Sequence, residues 1–364
     1  MPGGPPNAER PATGDRGKAR TMREKPLSEH QPLGLCVEPD ATPGQPRDAA
    51  ALAAWLADHR AWLDERLDRH GAVLFRGFGV NEPARLEAVS QAVGQQAMDY
   101  VGGASPRDRI QNKVYESTYT NRRLPLPLHS ELSYLQQSPA RVYFACQTEP
   151  GAGGQTPLVD MAEVYDRIDP TVRDAFEQHG VLLVQTLPPS RRRLAPKSWP
   201  DMFETTDRQQ AQARAEEVGY QVTWTDRGSM RLTSHCRAVI RHPRSGRMVW
   251  FNQAHLFHQS WSWELKRVGL NALAMLLRLR EWAQRRRRSL DQQHVQAALG
   301  DGSPLDRKTM LDLRELLWRQ SVQFDWQQGD LLILDNLRVG HGRNPYRPPR
   351  MILVTMTDPT DLGP

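Results

Sequence analysis

The stretch GDLLILDNLRVGHGR, residues 329–343, sets the reading of the whole chain. Gly329 and Asp330 make a turn, Leu331 to Asp335 read as an apolar strand, and a polar turn then leads to His341. Nine residues after His341, Arg350 opens a further strand, Met351 to Thr357. A histidine and an arginine that bracket a strand pair can both point into a barrel. The plainer alternative is a satisfied core histidine and a surface arginine.

Working outward, short β-like runs separated by turn residues recur at 72–75, 141–147, 156–160, 181–186, 221–224, 230–233, 237–240, 248–252 and 322–326. Helical spacing appears in Leu52, Trp55, Leu56, Leu63 and Leu67, with Gly71 as the stop. Asn81 and Pro83 open a second helix, and two more are expected over 263–285 and 307–320. No regular βαβ alternation supports a Rossmann sheet. The pattern predicts a mainly β fold with flanking helices, an antiparallel sandwich or jelly roll. Prolines and charges dominate residues 1–45, so a disordered tail is expected there. Residues 46–364 then form a single domain, with an insertion near 187–218.

A second stretch, LPLPLHSELSY at 124–134, carries chemistry. On an extended backbone residues i and i+2 face one side, so His129 and Glu131 would present an imidazole and a carboxylate to one point. This is the single H-x-[D/E] match among the eleven histidines, although such a pair is also common as ordinary surface. With His341 as third ligand the set is two histidines and one carboxylate, the facial arrangement used by non-haem iron. It leaves three coordination positions open. A 2-oxo acid can fill two and dioxygen the last, and an arginine is the natural bidentate partner for the acid's far carboxylate.

Bulk composition excludes several classes. Three cysteines, Cys36, Cys146 and Cys236, are far apart in the 364 residues, which argues against a disulfide framework or a zinc knuckle and suits a reducing compartment. Without a long apolar run or a signal-type N-terminus, a soluble cytoplasmic protein is expected, with no membrane partner. The net charge of +6 includes arginine runs at 191–193 and 285–288. They read as solvated surface or as a docking face for something acidic, and no motif points to nucleic acid.

Four blocks in order, PLHSELSY (127–134), GGQTPLVD (153–160), VWFNQ (249–253) and GDLLILDN through HGRNP (329–345) to Arg350, resemble the taurine dioxygenase (TauD/TfdA) family over roughly residues 70–358. The H-x-E form is similar to its syringomycin-type (SyrP-like) branch. That resemblance implies a double-stranded β-helix, Fe(II) held by His129, Glu131 and His341, and 2-oxoglutarate held by Thr156 and Arg350. It implies consumption of 2-oxoglutarate and O2 to oxidise a C–H bond. One departure is Val354, apolar where family members carry a second arginine, so other groups must hold the keto-acid carboxylate. Glu131 fills the place that a halogenase leaves for chloride, so hydroxylation is favoured over halogenation, with desaturation or cyclisation by the same oxidant as the alternative.

The branch further implies an amino-acid-like substrate in antibiotic or other specialised biosynthesis, free or tethered to an acidic peptidyl carrier protein. Tyr115, Ser117, Thr118, Tyr134, Asn252 and His255 are the candidate pocket residues. Each has a bland reading too: Tyr134 as core, Asn252 as a backbone partner, His255 as part of a helix face with His258. A zinc hydrolase on the same ligands is disfavoured by the absence of H-E-x-x-H. A non-catalytic barrel would be expected to have lost a ligand, and none is missing. Oligomeric state is not encoded legibly.

Overall fold

The computed structural model describes residues 22–103, 107–117, 121–190, 197–258, 260–287 and 295–361. Its largest element is an eight-stranded sheet in the order Arg23–Pro26, Leu35–Glu38, Ala72–Phe75, Leu331–Asp335, Gln137–Thr148, Met351–Asp361, Val114–Glu116, Arg109–Gln111. Leu331–Asp335 lies near the middle, buried throughout, and runs antiparallel to both neighbours.

Side chains along these strands alternate between two apolar clusters, as the two-residue period of a strand requires. Leu74, Val142, Phe144, Leu332, Leu334 and Val354 enter one cluster. Val73, Phe75, Tyr143, Ala145, Leu331, Ile333 and Leu353 enter the other. The second face is covered by helices Ala49–Asp58, Arg60–His70 and Pro83–Val93, which contribute Leu52, Leu56, Leu63, Leu67, Leu86 and Val89. A sheet buried on both faces explains why Leu331 to Leu334 is continuously apolar rather than alternating.

The first face looks toward smaller sheets. One has three strands, Leu126–His129, Val339–Arg343 and Leu158–Asp160, with Val339–Arg343 in the middle. Another has four, in the order Gln221–Trp224, Met230–Cys236, Val181–Leu187, Val295–Leu299. Opposed sheets with helices outside give the jelly-roll architecture that the strand pattern implies.

Several boundaries differ from expectation. The tail expected over 1–45 is structured in its second half. Leu35–Glu38 pairs in parallel with Ala72–Phe75, and Leu35, Cys36 and Val37 are buried. Its stability comes from that pairing, which proline-rich flanking sequence does not reveal. The helix expected over 263–285 is two, Ser262–Arg267 and Asn271–Arg287, separated at Gly269, whose φ is +80°. A left-handed glycine is a common helix terminator. Residues 322–326 do not form a strand. Val322, Phe324 and Trp326 alternate into the core, but only Val322 makes a bridge, to Leu158. Alternation there reports burial of one side of an extended chain, not a hydrogen-bonded ladder. The segment expected as an insertion carries helices Trp199–Phe203 and Arg208–Glu217, capped by Ser198 and Asp207.

Candidate metal centre

His341 and His129 are direct partners across adjacent antiparallel strands. Their ring centroids lie 4.6 Å apart. Such closeness needs two strands that approach tightly, and Gly342 permits it. A Cβ at Gly342 would lie 2.6 Å from the Leu126 carbonyl oxygen. Glu131 follows just beyond the strand end, in a turn where Leu132 takes φ of +53°. The turn brings its carboxylate back, with Oε2 3.6 Å from His341 Nε2. Among the described residues, His129, Glu131 and His341 form the only metal-capable group, with donor atoms all within 4.8 Å of one another. Phe144, from the large sheet, meets His341 edge-on at 5.0 Å, so the trio sits between the sheets.

The protonation states suit a cation. His129 Nδ1 is 2.9 Å from the Pro127 carbonyl and donates to it, which leaves the Nε2 lone pair for a metal. Burial first, and His341 second, push His129 down to about 4, so it is neutral near pH 7. Burial would raise the Glu131 carboxyl, but Arg107 and then the two histidines outweigh it and hold it below the usual carboxylate range. Two imidazoles and a carboxylate, all buried, fit a ferrous ion.

The backbone bearing these groups is clamped by side chains. Asn336 Oδ1 accepts from Glu131 N at 2.7 Å, and Asn336 Nδ2 donates to Glu131 O and Pro139 O at 3.0 and 2.8 Å. Gln253 donates to Ser130 O at 2.8 Å, and His255 Nε2 donates to Leu128 O at 2.7 Å.

Arg350 lies beside Gly154, where its Nε donates to the carbonyl at 3.3 Å. Gly154 has φ of +73°, and a Cβ there would come within 3.1 Å of the arginine side chain. Burial, then Arg343, lowers Arg350 to about 10. It remains cationic near neutrality yet forms no ion pair among the described residues. Two residues after Gly154, the Thr156 hydroxyl accepts from Trp326 Nε1 at 3.0 Å, leaving its own hydrogen to donate. A half-buried cation and a spare donor, meeting at the Gly154 to Thr156 segment, have the chemistry to hold a carboxylate.

The family model for the taurine catabolism dioxygenase TauD, TfdA family matches residues 29–357. The chain belongs to the TauD/TfdA family. It is therefore an iron- and 2-oxoglutarate-dependent dioxygenase. A clavaminate synthase-like protein of Arabidopsis thaliana is 31% identical over 301 residues, 81% of this chain and 84% of that one. The dapdiamide synthesis protein DdaC of Enterobacter agglomerans is 27% identical over 298 residues, covering 82% and 85%. A taurine dioxygenase from Burkholderia xenovorans shares the fold with a TM-score of 0.51 at 15% identity, covering 93% of this chain and 89% of that one. PvcB, of Pseudomonas aeruginosa, is described as an Fe, alpha-ketoglutarate dependent oxygenase from an isonitrile synthetic pathway. It superimposes with a TM-score of 0.51 at 18% identity, covering 97% and 94%.

Within this TauD/TfdA chain five of the six expected pocket residues are described. Tyr115 donates to Asp99 and accepts from Tyr100 N, at 3.2 and 3.1 Å. Ser117 N is bonded to Ile352 O at 2.8 Å. Thr118 lies outside the described residues. Tyr134 is buried against Phe257 and Tyr220, at ring distances of 5.8 and 6.5 Å. Asn252 bridges Ala238 O and Ala254 N, and His255 holds Leu128 from behind. Arg107 was not expected, and its Nη2 lies 2.5 Å from Glu131 Oε2. Asn336 and Gln253 stood inside the quoted blocks, whereas Arg107 sits in a loop without a motif.

Proposed function

We propose that His129, Glu131 and His341 hold the ferrous ion, and that Arg350 and Thr156 hold the distal carboxylate of 2-oxoglutarate. The observation that carries this is the buried trio, with the Thr156 donor on the segment whose Leu158 pairs with His341, and with Arg350, which has no ion pair among the described residues, against Gly154 of that segment. The bound ion and co-substrate together supply an oxidant able to break an unactivated C–H bond. The chain's own residues do the rest. His129 stays a neutral donor, His341 faces it across the strand pair, Glu131 stays anionic, and Asn336 fixes the backbone that aims Glu131. Burial of all three excludes water from the reacting centre.

The substrate in this reading is an amino acid or an amino-acid derivative, hydroxylated in specialised biosynthesis. Support comes from the H-x-E resemblance to the SyrP-like branch, and from relatives whose names place them in dapdiamide synthesis and an isonitrile synthetic pathway. A tethered form of the substrate would call on the arginine runs as a carrier-protein dock. Arg191 to Arg193 and the side chains of the 285–288 run lie outside the described residues.

The test is succinate release. Purified protein loaded anaerobically with ferrous ion is expected to convert 2-oxoglutarate to succinate in air, and His341→Ala to abolish it. Zinc is expected to inhibit. Protein that binds ferrous ion but never releases succinate would sink the reading.

A further inference from the structure

Arg107 is the one feature of the centre that neither the ligand trio nor the 2-oxoglutarate cradle uses. Its side chain is 2% exposed, as deep as the 4% of Glu131. Nη2 bonds the carboxylate oxygen that also faces His341. The remaining nitrogens, Nε and Nη1, are buried with no hydrogen-bond partner. The guanidinium lies 4.2 Å from the Tyr100 ring centroid. Lys197 Nζ lies 5.3 Å from the same ring and donates to Gly103 O at 3.1 Å. Burial, then Arg107, lowers Lys197 to about 8, so most of it is still charged near pH 7.

Two cations therefore approach one ring, with Glu131 as the carboxylate that Arg107 reaches. Buried guanidinium donors left unpaired are costly unless an anion arrives. A divalent metal at Glu131 would add positive charge beside Arg107. Metal and Arg107 also compete, because both need the oxygen that faces His341.

We propose that Arg107 is a tethered counter-ion that occupies the metal carboxylate in the metal-free protein and, when the metal displaces it, becomes the anchor for a carboxylate on the substrate. This rests on the functional reading above and narrows it. An arginine anchor for the α-carboxylate selects a free amino acid, since a carrier-bound thioester has no α-carboxylate to offer. It also places the carboxylate beside the metal, so the oxidised carbon lies near that end of the substrate. The 2-oxoglutarate keto-acid carboxylate is the other possible source of the same anion, and the experiment separates the two.

The full-length protein is compared with Arg107→Gln and Arg107→Lys. Anaerobic titration with ferrous ion, followed by calorimetry, is expected to show about tenfold or tighter binding in Arg107→Gln, with Arg107→Lys intermediate. Equal or weaker binding overturns the competition. This readout needs no turnover, so it is independent of whether the chain oxidises anything. Succinate release is then measured with a panel of free L-amino acids and their methyl esters. Free acids, not esters, should stimulate the wild type. Arg107→Gln should raise the KM of a stimulating acid about 10- to 100-fold, the range of one charge-assisted pair. The KM for 2-oxoglutarate should stay within about threefold, well under that range. A raised KM for 2-oxoglutarate with acid-over-ester preference intact assigns Arg107 to the co-substrate and overturns the anchor. Basal turnover that no free acid stimulates overturns it too.

Discussion

Asn336 has no ionisable group, yet two hydrogen bonds of Glu131 and one of Pro139 end on its amide. Asn336→Ala would leave Glu131 N, Glu131 O and Pro139 O without that partner inside the protein. The expected cost is about 3 kcal/mol of stability. Ferrous affinity should fall about 10- to 100-fold, the usual penalty for losing support behind a metal ligand. Chemical melts and metal titration on the same preparation check both. His255 tests the support from the other side. Burial, with Arg314 second, pushes it down to about 3, against an ordinary value near 6.5. Between those limits the unfolded chain takes up a proton that the folded chain refuses. The stability associated with neutral His255 is therefore full above about pH 6.5 and is lost as pH falls toward 3. His255→Gln should remove about one proton, roughly 1.4 kcal/mol per pH unit, from the slope of stability between pH 6 and 4. Urea melts across that range measure it, and an unchanged slope would show that His255 is not buried neutral.

At the scale of elements, the centre is a cross-strand pair supplemented by a turn. The His-x-Glu spacing and the late histidine were legible because a strand puts few residue types where a metal needs them. Their meeting was not, since it depends on the register that sets His341 opposite His129. Gly340 and Gly342 hint at that register, flanking the histidine with residues that let neighbours close in. The alternation at Val322, Phe324 and Trp326 misled for the opposite reason, because side-chain period carries no information about whether backbone hydrogen bonds are made. Arg107 was unreadable, as its role arises from burial beside Glu131 and not from any spacing. The register argument has a direct test. Gly342→Ala puts a methyl group 2.6 Å from a backbone oxygen that cannot swing aside. It should cost about 1–3 kcal/mol as overpacking and widen the gap between the imidazoles. Ferrous binding is expected to weaken more than overall stability, and circular dichroism alongside metal titration would separate the two losses.

Across the whole molecule, the large sheet divides the chain into a helical layer and a catalytic layer, and each strand side chain serves one or the other. That division explains why the early strands matter to a site far along the sequence. Leu35–Glu38 covers the edge of Ala72–Phe75, which pairs with Leu331–Asp335, the strand that leads into Asn336. Cys36 belongs to the cluster facing the metal centre, while Leu35 and Val37 belong to the one facing the helices. A chain that begins at Pro39 would expose the Ala72–Phe75 edge and leave Leu52 and Leu56 short of their partners. Loss of five buried apolar or thiol side chains, Met22, Leu33, Leu35, Cys36 and Val37, at about 1.5–3 kcal/mol for each large apolar one, removes several kcal/mol from a fold of ordinary marginal stability. The bare edge also invites pairing between molecules. The expected result is aggregation or a sharply lowered Tm relative to the full chain, with ferrous ion recovering part of the Tm because it binds the folded state alone. A truncated chain that stays monodisperse and melts like the full one would mean that the edge strand adds pairing without stability, and that the two layers depend on each other less than the alternation of their side chains implies.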